Sequence, residues 1–306
     1  MPTERRTLAA GDALGIEVAT WRTDGAPRAV VQILHGLAEH IDRYDRFAAA
    51  CNGRGFAVVG HNHRGHGGRD DGVPGHFGDS GGWSRIVDDV ARVDASIGSE
   101  FPDVPRILFG HSMGSYIAQS YVMRYAPALA ALVLSGSTMP RRGEVRVARW
   151  LARLIMAFRG PRGSGRLFDR MSFGQFNKRF APNRTEFDWL SRDEAEVDKY
   201  VADPLCGAPA TVGLWYELFG GLLEISDPRN VARVRTALPI LITGGEVDPV
   251  GGAAALEKLA AAYRETGHER VTLTLYEQGR HEMLNEINRD RVTADWLDRM
   301  EGAIAG

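Results

Sequence analysis

Two stretches of the chain place a serine inside the frame G-x-S-x-G. "FGHSMGS" (109–115) centres on Ser112, and "GDSGG" (78–82) centres on Ser80. A serine hydroxyl becomes a nucleophile only with a base to take its proton and a carboxylate to orient that base. The flanks separate the two candidates. Ser112 follows the apolar run "VPRILF" and precedes the helical pattern "SYIAQSYVMRYA". That is strand, tight turn and helix, the context that forces a serine into a strained, exposed position. Ser80 has no strand before it. Its glycines and aspartate read as a loop, with Ser80 or Ser84 near the N-cap of the helix from Trp83.

The base must come from the nine histidines, and only His268 and His281 follow Ser112. In a nucleophile elbow the order runs serine, acid, histidine, on loops after later strands. His268 precedes the strand pattern "VTLTLY" and so sits at the wrong end. His281 follows it, in "YEQGRHEML", and is the candidate base. "LPILITGGEVDPV" ends a strand in a glycine turn holding Glu246 and Asp248; Asp248, before Pro249, is the preferred acid and Glu246 the alternative. Asp203 and Asp227 fall in a different part of the chain. A tetrahedral intermediate needs two N–H donors. One is expected from Met113, after the nucleophile. The other is expected from Leu37 in "HGLAEH", with Gly36 permitting the turn that points its amide inward.

These groups need a frame. "AVVQIL" (29–34), "FAVVG" (56–60), "RILFG" (106–110), "LAALVLS" (129–135), "LPILIT" (238–243) and "VTLTLY" (271–276) are continuous apolar runs. Such strands are buried on both faces of a parallel sheet. "GIEVATW" (15–21) alternates and predicts an early antiparallel strand. Helical patterns at 41–55, 83–102, 115–127, 249–267 and 288–304 lie between or after them. The alternation predicts an α/β fold, a mostly parallel central sheet flanked by helices. Residues 137–230 break the rhythm, with helical pieces at 145–160 and 193–201 and no clear strand. They read as a helical cap inserted into a core of 1–136 and 231–306, placed to roof the carboxyl edge of the sheet.

The motifs together resemble an α/β-hydrolase, and within that fold the monoacylglycerol lipase and lysophospholipase group, catalogued with serine aminopeptidase-like hydrolases. "LHGLAEHIDRY" resembles the group's H-G-x-x-E-H-x-x-R-Y stretch, "HNHRGHGG" its D-x-R-G-H-G-x-S loop, and "GHSMGS" its elbow. His61 or Asn62 stands where an aspartate is common, Gly68-Arg69 replaces a Lys/Arg-Ser pair, and Ser115 replaces a glycine. The resemblance implies hydrolysis of a monoacyl lipid or similar carboxyl ester through an acyl-enzyme, without cofactor or metal. A peptidase, acyltransferase or perhydrolase would use the same triad. A non-catalytic binding protein on this fold is a third reading. An aminopeptidase would want acids for the substrate amine, and Glu194, Glu196, Glu217 and Glu224 are the candidates.

Composition sets outer bounds. A net charge of −2 over 306 residues gives no argument for nucleic acid. No apolar run reaches membrane-spanning length, and the opening residues carry no signal-peptide core. Cys51 and Cys206 form no metal or redox spacing, which predicts a cytoplasmic setting. His61, His63 and His66 match no zinc spacing. Residues 141–166 hold eight arginines against the single acid Glu144, with Trp150, Leu151, Leu154, Ile155 and Phe158 at helical spacing. Such a helix either lays its apolar face over the site or makes transient contact with a lipid surface.

Overall fold

The computed structural model describes residues 1–12, 14–68 and 73–305, so Arg69 of the loop motif lies outside the described residues. Eight strands form one sheet. They are β1 (Glu4–Ala9), β2 (Gly15–Trp21), β3 (Ala29–Leu34), β4 (Phe56–His61), β5 (Arg106–His111), β6 (Ala131–Ser135), β7 (Ile240–Gly245) and β8 (Val271–Tyr276). The spatial order is β1-β2-β4-β3-β5-β6-β7-β8. β1 with β2 and β2 with β4 pair antiparallel, and every later pair is parallel. β3 through β7 are buried at every residue except Arg106, as continuous apolar runs require when helices cover both faces.

The helices are α1 (Asp45–Gly53), α2 (Gly82–Glu100), α3 (Met113–Tyr125), α4 (Arg142–Arg159), α5 (Arg166–Lys178), α6 (Glu194–Ala202), α7 (Val212–Ile225), α8 (Pro228–Val231), α9 (Gly252–Glu265) and α10 (Arg289–Ala305). Phe47 and Cys51 of α1 and Trp296 and Met300 of α10 pack on one face of the sheet. Ile86 and Val90 of α2, Ile117 and Tyr121 of α3 and Leu259 of α9 pack on the other.

β1 escaped the sequence reading. Its sequence is polar and it lies at the sheet edge, where alternate residues remain exposed. Arg6 ties it to α2 through Glu100 and Ser96. Helix α2 starts from Gly81 in a left-handed conformation (φ 62°), which sets Ser80 directly before the N-cap and Ser84 in the first turn, and no side chain caps it.

Between β6 and β7 the described chain is helical, apart from an isolated bridge of Ser164 to Thr211. α5, α7 and the short α8 are additions to the two helical pieces foreseen there. α7 reads "VGLWYELFGGLLEI", apolar almost all round, because it is buried between α4 and the α2–α3 pair. A Cβ on Gly221 would lie 2.1 Å from the Trp83 ring, so only glycine lets the helices meet there. α4 carries two apolar faces. Val145, Ala148, Leu151, Ala152 and Ile155 turn inward. Val147, Trp150, Leu154 and Phe158 turn outward, exposed by 67%, 64%, 43% and 83%. The single stripe expected from the sequence therefore splits, with Leu151 and Ile155 inside and Trp150, Leu154 and Phe158 outside.

Candidate active site

β5 delivers Ser112 directly into the start of α3. Its backbone takes φ 50° and ψ −121°, a region that L-residues occupy only under constraint. The constraint is close packing. A Cβ on Gly114 would sit 2.1 Å from the Leu34 carbonyl oxygen, and one on Gly110 2.5 Å from that of Gly114. Strand and helix thus meet at backbone contact, and the Ser112 amide donates to the Ser135 carbonyl (2.9 Å). Ser115 has its own role below the turn. Its hydroxyl donates to the Ser112 carbonyl (2.6 Å) and lies 2.8 Å from Ser137 Oγ.

Asp248 follows β7 and His281 follows β8, both at the carboxyl edge of the sheet. His281 Nδ1 lies 2.9 Å from Asp248 Oδ2, and Asp248 Oδ1 accepts from the Val250 amide (2.9 Å). Asp248 and His281 are 1% and 2% exposed, whereas Glu246 faces solvent, which separates the two acids. His268 is bonded to the Tyr263 carbonyl before β8, at the opposite edge. Burial alone would lower the His281 pKa, but the Asp248 charge and hydrogen bond outweigh it and hold it above the ordinary value. Trp189 lies over the imidazole at 5.0 Å, and Phe173 stacks on Trp189 at 5.7 Å. On another side His111 sits 4.8 Å away, and burial pushes its pKa down to about 4, so it is neutral at pH 7.

Ser112 and His281 line one cavity of about 430 Å³. Among the described residues Ser112 Oγ makes no hydrogen bond to His281. Such bonds are often long in unliganded sites and tighten around substrate. The amides of Leu37 and Met113 have no acceptor among the described residues, and Leu37 lines the cavity. Gly36 plays a different part from the one expected. The left-handed residue is Ala38 (φ 58°), not Gly36. Gly36 supplies room: a Cβ there would lie 2.7 Å from Glu39 Oε1 and 3.3 Å from Ser112 Cβ. Its amide donates to Glu39 and is not free for substrate.

Three charged residues beneath this loop had gone unread. Arg43 bonds Glu39 (2.6 Å) and both oxygens of Glu282 (2.7 Å each), and Tyr44 donates to Glu39 (3.0 Å). All are buried, or nearly so. Burial alone would raise the Glu282 carboxyl, but Arg43 holds it below the usual carboxylate range. The signal was available: "E-H-x-x-R-Y" and "HE" set charges beside the candidate donors and base. The helical segment reaches the same loop, since Tyr200 and the Gly207 amide both donate to the Ala38 carbonyl (2.8 and 2.9 Å).

His63 and His66 of "HNHRGHGG" serve this loop. His66 Nε2 accepts from the Ala38 amide (3.1 Å), and the His63 amide donates to His35 Nε2 (3.0 Å). Among the described residues, the set that brings three metal-type ligand atoms together lies elsewhere, at His40, Asp203 and Cys206, where His40 and Asp203 already bond each other (2.9 Å).

The roof of the cavity is α5 with the 183–190 and 207–209 segments; no α4 residue lines it. The expectation that the arginine-rich helix lays its apolar face over the site is thereby corrected. Glu194, Glu196, Glu217 and Glu224 line no part of it either. Glu196 pairs with Arg46, Glu224 pairs with Arg124, and Glu217 accepts from the Trp83 amide.

An eight-stranded, mostly parallel sheet with a serine at a strand–helix elbow, and an acid and a histidine on the following loops, defines an α/β-hydrolase. The family described as serine aminopeptidase, S33 matches residues 25–288, and the chain belongs to that family. It is 30% identical to a monoacylglycerol lipase of Mycolicibacterium smegmatis over 90% of this chain and 89% of that protein. It is 28% identical to the mouse (Mus musculus) monoglyceride lipase over 87% and 80%. The solved structure of a highly thermostable carboxyl esterase from Bacillus coagulans, in complex with glycerol, superposes with a TM-score of 0.91 at 27% identity, covering 99% of both chains.

Proposed function

We propose that the chain is a serine hydrolase of carboxylic esters, with a monoacyl lipid or similar small ester as substrate. The observation that carries this reading is the meeting on one cavity of Ser112 with His281, which Asp248 holds from behind. Relatives named as monoacylglycerol lipases and a carboxyl esterase support it.

In this mechanism His281 Nε2 takes the proton of Ser112 Oγ as the oxygen attacks the ester carbonyl carbon. Asp248 fixes the tautomer through Nδ1 and stabilises the imidazolium. The free amides of Leu37 and Met113 receive the oxyanion, aided by the N-terminus of α3. Collapse expels the alcohol, which takes the proton from His281. A water activated by the same imidazole then releases the acid from Ser112. The test is labelling by a fluorophosphonate together with a p-nitrophenyl ester chain-length series, with Ser112→Ala as blank. Labelling at Ser112 and loss of turnover in the variant are expected. Turnover in the variant equal to wild type would overturn the mechanism.

The outward row of α4 adds a partner. Val147, Trp150, Leu154 and Phe158 recur at helical spacing beside Arg146 and Arg153. An apolar stripe flanked by cations suits an anionic lipid surface, and we assign transient membrane contact to it. No helix among the described residues is long and apolar enough to cross a membrane. Cys51 and Cys206 are free thiols, in keeping with a cytoplasmic setting.

A further inference from the structure

α5 turns two rows of side chains toward the cavity. Asp169, Phe173 and Asn177 form one, and Arg166, Arg170, Gly174 and Lys178 the other, each at four-residue spacing. Arg166, Arg170 and Lys178 are exposed, and none has an acidic hydrogen-bond or ion-pair partner among the described residues. Nearby, Arg162 pairs with Asp79 and Arg184 with Asp198, while Arg179, just past α5, has no acidic partner among the described residues either. The acids of the cavity offer little compensation. Asp169 accepts from Trp215 Nε1 (2.9 Å) and feels the Arg166 charge only weakly, Glu39 and Glu282 are engaged by Arg43, and among the described lining acids only Glu186 has no hydrogen-bond or ion-pair partner.

This row breaks two local rules. Like charges four residues apart on a helix repel, which costs a few tenths of a kcal/mol. A glycine inside a helix costs about 1 kcal/mol against alanine, and a Cβ at Gly174 would meet nothing within 4 Å, so packing does not demand it. Local rules broken without a packing reason are expected where a ligand sits. An anion along the row would relieve the repulsion, and the bare wall at Gly174 would let it approach. Further in, Phe173, Phe187, Trp189 and Tyr200 make an aromatic wall suited to an acyl chain.

We propose that the Arg166–Arg170–Lys178 row recognises a negative charge on the substrate, a phosphate or carboxylate borne away from the scissile ester. This rests on the ester-hydrolase reading of Ser112.

The test is binding to Ser112→Ala, followed by tryptophan fluorescence at low salt below the micellar range. The probes are 1-octanoylglycerol and 1-octanoylglycerol 3-phosphate. The phosphate should bind about tenfold tighter, and Arg170→Gln/Lys178→Gln should reduce that ratio about fivefold, as should about 0.5 M salt. Equal affinities, or a ratio indifferent to the double substitution, would overturn the proposal. A second arm uses phosphatidylglycerol and phosphatidylcholine vesicles. If the double substitution weakens binding to anionic vesicles while leaving the soluble ratio intact, the row serves a surface and the substrate assignment falls. Failure of the wild type to hydrolyse p-nitrophenyl octanoate, with no fluorophosphonate label, sinks the ester-hydrolase reading instead; the binding ratio still decides the row.

Discussion

Asp248 has both carboxylate oxygens engaged, one with His281 and one with the Val250 amide. Asp248→Asn keeps an acceptor for Val250 but removes the charge that fixes and stabilises the imidazolium. A fall in kcat/KM of about 10⁴ with little loss of stability is expected, measured by ester turnover and thermal melting. The same charge sets the pH response. His281 must be neutral to act as base, and its pKa is raised, so kcat/KM should climb with pH through a midpoint above the ordinary histidine value of 6.5. In Asp248→Asn burial is opposed only by the weaker charges of Glu282 and Glu39, and the residual activity should shift its midpoint downward. A midpoint that stays fixed would refute the coupling. For stability the sign is opposite. The raised pKa contributes fully below the unfolded value and is lost as pH rises through the folded one. Ser112, Asp248 and His281 were legible because glycines and strand ends punctuate their neighbourhoods. The motifs held Glu39, Arg43 and Glu282 in view, but their partnership was not legible, because charged letters ordinarily mean solvent and only tertiary packing buries them together.

The elbow shows how two elements hold a residue in a strained state. Gly114→Ala would drive a Cβ to 2.1 Å from the Leu34 carbonyl, so β3 and α3 must part. About 3 kcal/mol of lost stability is expected from urea unfolding, with activity falling alongside. A melting temperature matching wild type would show that the contact relaxes freely. Arg43→Met tests the loop after β3. It leaves two buried carboxylates without their cation and loosens the Glu39 bond to the Gly36 amide. A destabilisation of about 3–5 kcal/mol is expected by the same measurement, together with lowered kcat/KM. At this scale the parallel strands were readable from continuous apolar runs. β1 was not, since an edge strand with an exposed face lacks that signature. α7 was missed because a helix buried on all sides has no stripe, and α5 because Gly174 and a short, mixed sequence hide its period.

At the scale of the molecule, the two faces of α4 divide labour between packing and contact. Trp150→Ser/Phe158→Ser removes two exposed aromatics and leaves Leu151 and Ile155 in place. Binding to anionic vesicles should weaken about tenfold with turnover of a soluble ester retained. Flotation unchanged from wild type would dismiss the contact. The helical run between β6 and β7 was legible as a gap in the strand rhythm. Its depth of attachment was not, because that depends on which side chains of α7 find α2 and α3. Leu214, Trp215, Leu218, Phe219 and Ile225 of α7 share one apolar cluster with Ile86, Ile117 and Leu259. α7 and the sheet helices should therefore melt together. The insertion has no private core of comparable size to hold it once the sheet is lost, and the sheet would expose a wide oily flank if the insertion were cut away. Heating should yield one cooperative transition, and evolution could refit the outer helices while α7 stayed nailed to the floor.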